Sequence, residues 1–315
     1  MTEIQQSAPG DRTSGIGASE SAAILGVSAF ESPYDVWEVK MGRAPAPDTA
    51  ATYWGRVLED VVAREYAKLR DVRVRRTSET RRHPEAPLMA HADRYIEGRK
   101  GLLECKTSHQ FMSSEWGPDG SDEIPIYYMV QVQHQLLCYR RSEFVDLAVL
   151  IGGRDFRTYR IGPDREIQDT IVEACTEFWQ EHVQRREPPD VRSIADALKR
   201  WPMHHNPPVE ADQWAYDKAR ELLGTRARRK GLEEHERALT LELMRYMGNA
   251  EALITSQGQR LVSWKTPRPS RVLDQQSLKR DRPDIADEFT IETPGSRRFT
   301  PNDKADVWEA TDGEQ

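Results

Sequence analysis

Apolar and polar positions along the chain change period several times, and each change marks an element. Helical spacing covers about 19–25, 33–41 and 48–69. In the last of these, Val57, Leu58, Val61, Val62 and Tyr66 fall on one face. Alternation then takes over from Val72 to Arg76, from Leu88 to Ile96 and from Gly101 to Thr107, which predicts strands. Residues 125–139 read as a helix with Pro125 near its start, where a missing N–H costs little. Phe144 to Ile151 is apolar enough for a buried strand. Gly152-Gly153 turns it into a hairpin partner, Phe156 to Ile161. A long helix over 164–185 ends before Pro188-Pro189. This order predicts an α/β fold with a mixed central sheet flanked by helices.

Beyond Pro189 the character changes. Pro202, Pro207 and Pro208 punctuate a linker, taken as 191–209. Residues 210–247 predict a long charged helix or helical hairpin, with a break expected at Gly224 or Gly231 and a seam of Leu232, Leu239, Met244 and Met247. Ala252 to Ile254 and Arg260 to Lys265 flank Ser256-Gln257-Gly258 as a hairpin. The stretch after Pro267 is polar and weakly patterned. The expected organisation is therefore a disordered tail over 1–11, a domain over 12–190, the linker, and a mainly helical extension with a β-hairpin over 210–315.

Candidate chemistry concentrates in one place. Asp93 is followed, after ten residues, by Glu104-Cys105-Lys106 inside an apolar run. Neighbouring strands would bring two carboxylates and an amine to one end of the sheet. Side-by-side carboxylates repel, so such a site favours a hard divalent cation, Mg²⁺ or Mn²⁺, which keeps waters and bridges to phosphate. Lys106 can orient or deprotonate an attacking water, a set suited to metal-assisted phosphodiester hydrolysis. Glu59 sits beside the apolar face of its helix. Gln131 and Gln135, four apart, share a helix face. The polar turn from Arg12 runs into a helix with Ser19 or Ser21 as its N-cap, a candidate phosphate pocket.

These stretches, in this order, resemble the YqaJ-type viral recombinase family, which groups lambda exonuclease and RecE-like phage exonucleases in the PD-(D/E)XK nuclease superfamily. The resemblance rests on Arg12…Ile16-Gly17-Ala18-Ser19, Gly55…Glu59, Ala90-His91-Ala92-Asp93, Gly101 to Thr107, Ile124-Pro125…Tyr128…Gln131 to Gln135, Phe178-Trp179 and Pro188-Pro189, within residues 12–190. It implies a restriction-endonuclease-like core. Asp93, Glu104 and the backbone carbonyl of Cys105 would hold metal, and Lys106 would position or activate water. Glu59 and Gln131 would serve a second ion or the nucleophilic water, for two Mg²⁺ (or Mn²⁺) in all. Arg12 and Ser19 would grip a terminal 5′-phosphate. The implied activity is 5′→3′ exonuclease action on double-stranded DNA ends, leaving 3′ overhangs for phage recombination. A single-strand annealing protein (RecT/beta-like) would be the partner, a homo-oligomeric ring of three or four copies the working form, and the bacterial host's cytoplasm the location. The family often has Asp-Gly where this chain has Asp93-Arg94, so the turn there should differ. A structure-selective endonuclease and a catalytically silent DNA-binding subunit stay open as alternatives.

Composition adjusts this picture. With 31% charged residues and mean hydropathy of −0.75, and with no apolar stretch of membrane-spanning length, the chain reads as soluble. Cys105, Cys138 and Cys175 are too scattered for a disulfide framework or a zinc site. The formal net charge of −7 argues against a general nucleic-acid coat but leaves room for local phosphate contacts. Basic residues do cluster, at Arg70, Arg73, Arg75, Arg76, Arg81 and Arg82, and again at Arg226, Arg228, Arg229 and Lys230. The first cluster is the expected place for DNA-backbone contacts.

Overall fold

The computed structural model describes residues 12–43, 49–292, 295 and 297–302. The expected tail over 1–11 lies outside them. Two compact units divide at Arg200 and Trp201.

The first unit is built on a five-stranded mixed sheet in the order β2 (Val74–Arg76), β5 (Arg94–Ile96), β6 (Gly101–Ser108), β7 (Phe144–Ile151) and β8 (Asp155–Ile161). Only the β6–β7 pair is parallel. A parallel pair needs a crossover, and α4 (Ile126–Cys138) supplies it. Alternation along β6 and β7 sorts the core. Leu102, Leu147, Val149 and Ile151 pack with α1 (Ala18–Ile24), α2 (Pro33–Lys40), α4 and α5 (Arg165–Phe178). Leu103, Cys105 and Ala148 pack against α3 (Ala50–Leu69) on the opposite face. Gly101 is required at the sheet's start, because a Cβ there would lie 2.3 Å from the Phe144 ring on the paired strand.

Several expectations shift in detail. On α3 the buried stripe is Val62, Ala63 and Tyr66, while Val57 and Val61 are exposed. Glu59 continues that stripe one turn earlier and is half-buried. Leu88 to Ile96 is not one strand. It divides into β4 (Leu88–Ala90) and β5, which belong to different sheets, and Asp93 sits in the bend between them. β4 lies between β1 (Ile16–Gly17) and β3 (Arg81–Arg82) in a small second sheet. The helix over 164–185 is α5 followed by a π turn, Trp179–Gln184. Within 191–209, read as linker, a helix α6 (Ile194–Arg200) docks on the first unit. Its Asp196 is buried, with Ser32 donating to it at 2.8 Å, and that contact makes the segment part of the fold.

In the second unit α7 (Gln213–Met247) is a single helix with no break at Gly224 or Gly231. Each glycine costs about 1 kcal/mol in a helix interior. An Asp212 N-cap and pairs such as Arg229–Glu233 offset part of that cost. The hairpin β9 (Ala252–Ile254) and β10 (Arg260–Ser263) turns through Gly258 at φ +81°. Two short helices follow, α8 (Gln275–Asp281) and α9 (Pro283–Glu288), where the sequence pattern is weak. None of the described helices is long and apolar enough to cross a membrane.

His134 ties α4 to the rest. It is fully buried, with Nδ1 2.5 Å from the Ser21 hydroxyl on α1 and Nε2 3.1 Å from the Met89 carbonyl on β4. Burial pushes its pKa down from 6.5 to about 3. The folded protein therefore keeps His134 neutral while the unfolded chain protonates below 6.5. Stability from this group is complete above that value and is lost as the pH falls through it. Urea denaturation should show roughly 1.4 kcal/mol less stability from this group at about pH 5.5 than at about pH 7.5. His134→Gln should remove that component; an unchanged pH slope would mean that His134 stays uncharged in neither state.

Candidate active site

Glu104 is the centre of the polar cluster. β6 directs Glu104 and Lys106 toward α4, opposite to Leu103 and Cys105. From α4, Gln131 Nε2 donates to Glu104 Oε1 at 2.6 Å and Gln135 Nε2 donates to Oε2 at 2.7 Å. The two glutamines are buried, so their amides need such partners. Lys106 Nζ lies 2.7 Å from Glu104 Oε1 and 5.0 Å from the centre of the Tyr128 ring. Both carboxylate oxygens are thus fixed before any substrate arrives.

Asp93 reaches the same place from the β4–β5 bend. The Cys105 backbone N–H donates to its Oδ2 at 2.7 Å. Burial, then the charges of Glu104 and Glu59, raise the Asp93 pKa well above the ordinary carboxylate value. Lys106 moves the other way from what burial alone would do. Burial favours the neutral amine, but the Glu104 carboxylate, Tyr128 and Asp93 outweigh it and the pKa rises. Lys106 is thus held as an ammonium beside Glu104. The Cys105 thiol is pushed up by burial and by Asp93 and Glu104, so that side chain stays a neutral part of the α3 core.

These groups open on a cleft of about 680 Å³, lined also by Glu59, Gly55, Arg56, Phe30, Tyr127 and Tyr128. Glu59, expected at the metal, is held by Arg94 at 2.5 Å. Arg94 is the departure noted in the sequence, and its effect goes beyond the turn. Its guanidinium is buried and bonds Glu59, Asp60 and the Asp93 carbonyl at once. It fastens α3 to the bend that carries Asp93. Arg94→Ala should cost roughly 2–3 kcal/mol in urea denaturation, below the full cost of stranding a buried charge because Glu59 and Asp60 keep some solvent. A loss under about 1 kcal/mol would show that the two carboxylates are solvated without it.

Arg12 and Ser19 are not among the residues lining this cleft. Arg12 opens a short 3-10 turn, Arg12–Ser14, and its carbonyl accepts from Lys40 Nζ at 2.6 Å. Neither Ser19 nor Ser21 caps α1. Gly17 is the N-cap, and the Glu20 carboxylate accepts from its N–H at 2.6 Å. Ser21 is buried against His134 and Ser19 is exposed. Tyr128 and Arg94 are the neighbours to which the sequence gave no role. Gln131 and Gln135, read as a shared helix face whose amides could hold a water or a phosphate oxygen, hold the Glu104 carboxylate instead. The local pattern marks Arg94 only as a departure at the turn, because its carboxylate partners lie on α3.

The YqaJ-like viral recombinase domain matches residues 10–142. A Bacillus subtilis (strain 168) protein, described as "uncharacterized protein YqaJ", is 33% identical over 301 residues, covering 92% of this chain and 91% of its own. The chain belongs to the YqaJ-like viral recombinase family. Among solved structures, it is similar to an alkaline exonuclease from Laribacter hongkongensis (18% identity, 60% of this chain and 93% of that one, TM-score 0.44). It is also similar to a phage-related exonuclease from Haemophilus somnus 129PT (14% identity, 55% and 96%, TM-score 0.44).

Proposed function

We propose that this YqaJ-like chain is a Mg²⁺-dependent 5′→3′ exonuclease on double-stranded DNA, producing 3′ single-stranded overhangs for phage recombination by single-strand annealing. The observation that carries the reading is the meeting of Asp93, Glu104 and Lys106 at one cleft. The donor set fits a hard divalent ion. Asp93 and Glu104 supply carboxylate oxygens, and the Cys105 carbonyl is the natural third donor. Burial raises the Asp93 pKa most, and the Glu104 and Glu59 charges add to it; a cation would relieve that added repulsion. Among the described residues no three His, Cys, Asp or Glu side chains close on one point. An ion here would keep several waters, as Mg²⁺ does. Glu59, paired with Arg94, would act by its charge or through a water. When bound, the metal would polarise the scissile phosphate and lower the pKa of its water.

The chain's own residues supply the rest. Gln131 and Gln135 hold Glu104 in one rotamer. Lys106 donates to the attacking water or to a phosphate oxygen, with the Tyr128 ring facing its ammonium. Arg12 and Ser19 are proposed to grip the 5′-phosphate, reached by substrate extending past the cleft. A ring of three or four copies would keep the enzyme on its duplex, and a RecT/beta-like annealing protein would take the overhang, in the bacterial cytoplasm.

The test is digestion of a linear duplex labelled at either the 5′ or 3′ end, with Mg²⁺ or EDTA, beside a closed circle. Mg²⁺-dependent loss of the 5′ strand with the circle intact is the expected result. A cut circle would replace the exonuclease by an endonuclease. No cutting of either would leave a silent DNA-binding subunit.

A further inference from the structure

We infer that an arginine-lined depression at the far end of α4 is a second nucleic-acid site, one that takes single-stranded DNA. The inference rests on the proposed DNA-cleaving function for the choice of ligand, and on its own geometry for the site. The depression holds about 760 Å³ and gathers Arg75, Arg81, Arg82, Arg140 and Arg141 against a single acid, Glu79. In a chain of net charge −7, such a concentration of one sign is local and deliberate in its effect. Crowded guanidiniums repel one another, and a bound polyanion relieves that repulsion.

The arginines come from β2, from β3 and from the loop after α4, so the fold assembles what the sequence scatters. Arg82 is anchored by the Ser14 carbonyl at 2.9 Å and the Ser14 hydroxyl at 2.5 Å. Arg81 is anchored by Glu79 at 2.5 Å. Each guanidinium has five donors, so anchoring leaves others for phosphate oxygens. Arg140 and Arg141 are exposed.

Aromatic groups make the choice between strand and duplex. Arg75 lies 5.1 Å from the centre of the Tyr95 ring, and Tyr95 meets Tyr139 edge-on at 5.9 Å. Tyr139 is fixed through its hydroxyl, which accepts from the Ala92 N–H at 3.1 Å. Tyr139 is buried and only supports Tyr95; the half-buried Tyr95 ring with the Arg75 guanidinium over it is the plane offered to an unpaired base, and it offers nothing to a base inside a duplex. Distance links the site to the cleft. Tyr128 lines the cleft and Tyr139 lines the depression, eleven residues apart on α4 and its C-cap. That is about 16 Å of helix, which about five nucleotides span at the rise of a duplex strand.

The experiment is anisotropy of a fluorescent oligo(dT) in EDTA, titrated over a range of salt. Arg140→Glu/Arg141→Glu should weaken binding at least about tenfold and flatten the slope of log affinity against log salt by about 1. The control Arg165→Glu/Arg185→Glu makes the same charge change elsewhere on the first unit and should move the affinity by less than about threefold. Unchanged affinity in the first variant, or an equal fall in the control, would overturn the site. Hydrolysis of a small phosphodiester, bis(p-nitrophenyl) phosphate with Mn²⁺, reads the cleft alone and should be the same in the first variant as in the parent. If the parent fails to hydrolyse it while the variant still loses oligonucleotide, the cleavage reading falls and the strand site stands.

Discussion

Asp93→Asn should abolish Mg²⁺-dependent digestion of a linear duplex, by about 10³-fold or more, while leaving the folded protein in EDTA as stable as the parent or more so. The two halves of this prediction follow from one fact. The Asp93 carboxyl is buried beside Glu104 and Glu59, and its pKa is raised well above 3.8. A raised carboxyl pKa means that the folded state binds the proton more tightly than the unfolded chain does. Stability from this group is present at low pH and is lost as the pH rises through 3.8 toward the folded value. At neutral pH the Asp93 carboxyl is therefore a liability to the fold. Asparagine keeps an oxygen to accept the Cys105 N–H and removes the charge. It also removes the ligand on which a hard cation would depend. Duplex affinity in EDTA should stay within about twofold, since phosphate contacts elsewhere supply it. Equal loss of activity and of thermal stability would contradict this account, because it would make Asp93 a structural residue.

This trade between charge repulsion and chemistry is also the reason the site was partly legible in the sequence. Asp93 and Glu104-Cys105-Lys106 stand close along the chain, one just before β5 and the others on β6, strands whose pairing the alternation predicts. β6 and β7 were legible because buried strands are nearly all apolar, and a polar pair such as Glu104 and Lys106 stands out there. Gln131 and Gln135 were legible as a shared helix face. What the pattern missed is what depends on long-range partners. Nothing in Leu88 to Ile96 marks the change of sheet that places Asp93 in a bend. Arg94 shows in the sequence only as a departure at the turn, and its role comes from α3, which brings Glu59 and Asp60 to it. The serines of α1 have good capping chemistry, yet Glu20 satisfies Gly17 and leaves Ser21 to His134. The arginine depression joins Arg75 to Arg140, which no local window contains. In α7 the glycines are tolerated because propensity is a weak constraint once capping and ion pairs are in place.

Glu20 carries the other large effect, on stability. Glu20→Gln should lower the free energy of unfolding by roughly 3–5 kcal/mol at neutral pH. Lys40 on α2 is buried, with no side-chain exposure, and its Nζ lies 2.5 Å from Glu20 Oε2. Burial lowers the Lys40 pKa, and Glu20 is the chief influence that holds it up. Without the carboxylate the ammonium is stranded in the core between α1 and α2, with the Arg12 carbonyl, at 2.6 Å, still accepting from it. The variant then gains by releasing the proton on folding. Its folded Lys40 pKa lies below the unfolded 10.5, so the unfolded chain binds more protons across that window and stability rises with pH. The deficit against the parent should accordingly shrink as the pH is raised toward about 10. Glu20→Gln/Lys40→Met should recover most of the loss, because neither buried charge remains. Urea denaturation of the parent and the two variants at two pH values measures all of this. A single variant as stable as the parent would mean that water reaches Lys40 when Glu20 is gone, and that the α1–α2 contact is packed less tightly than its geometry indicates.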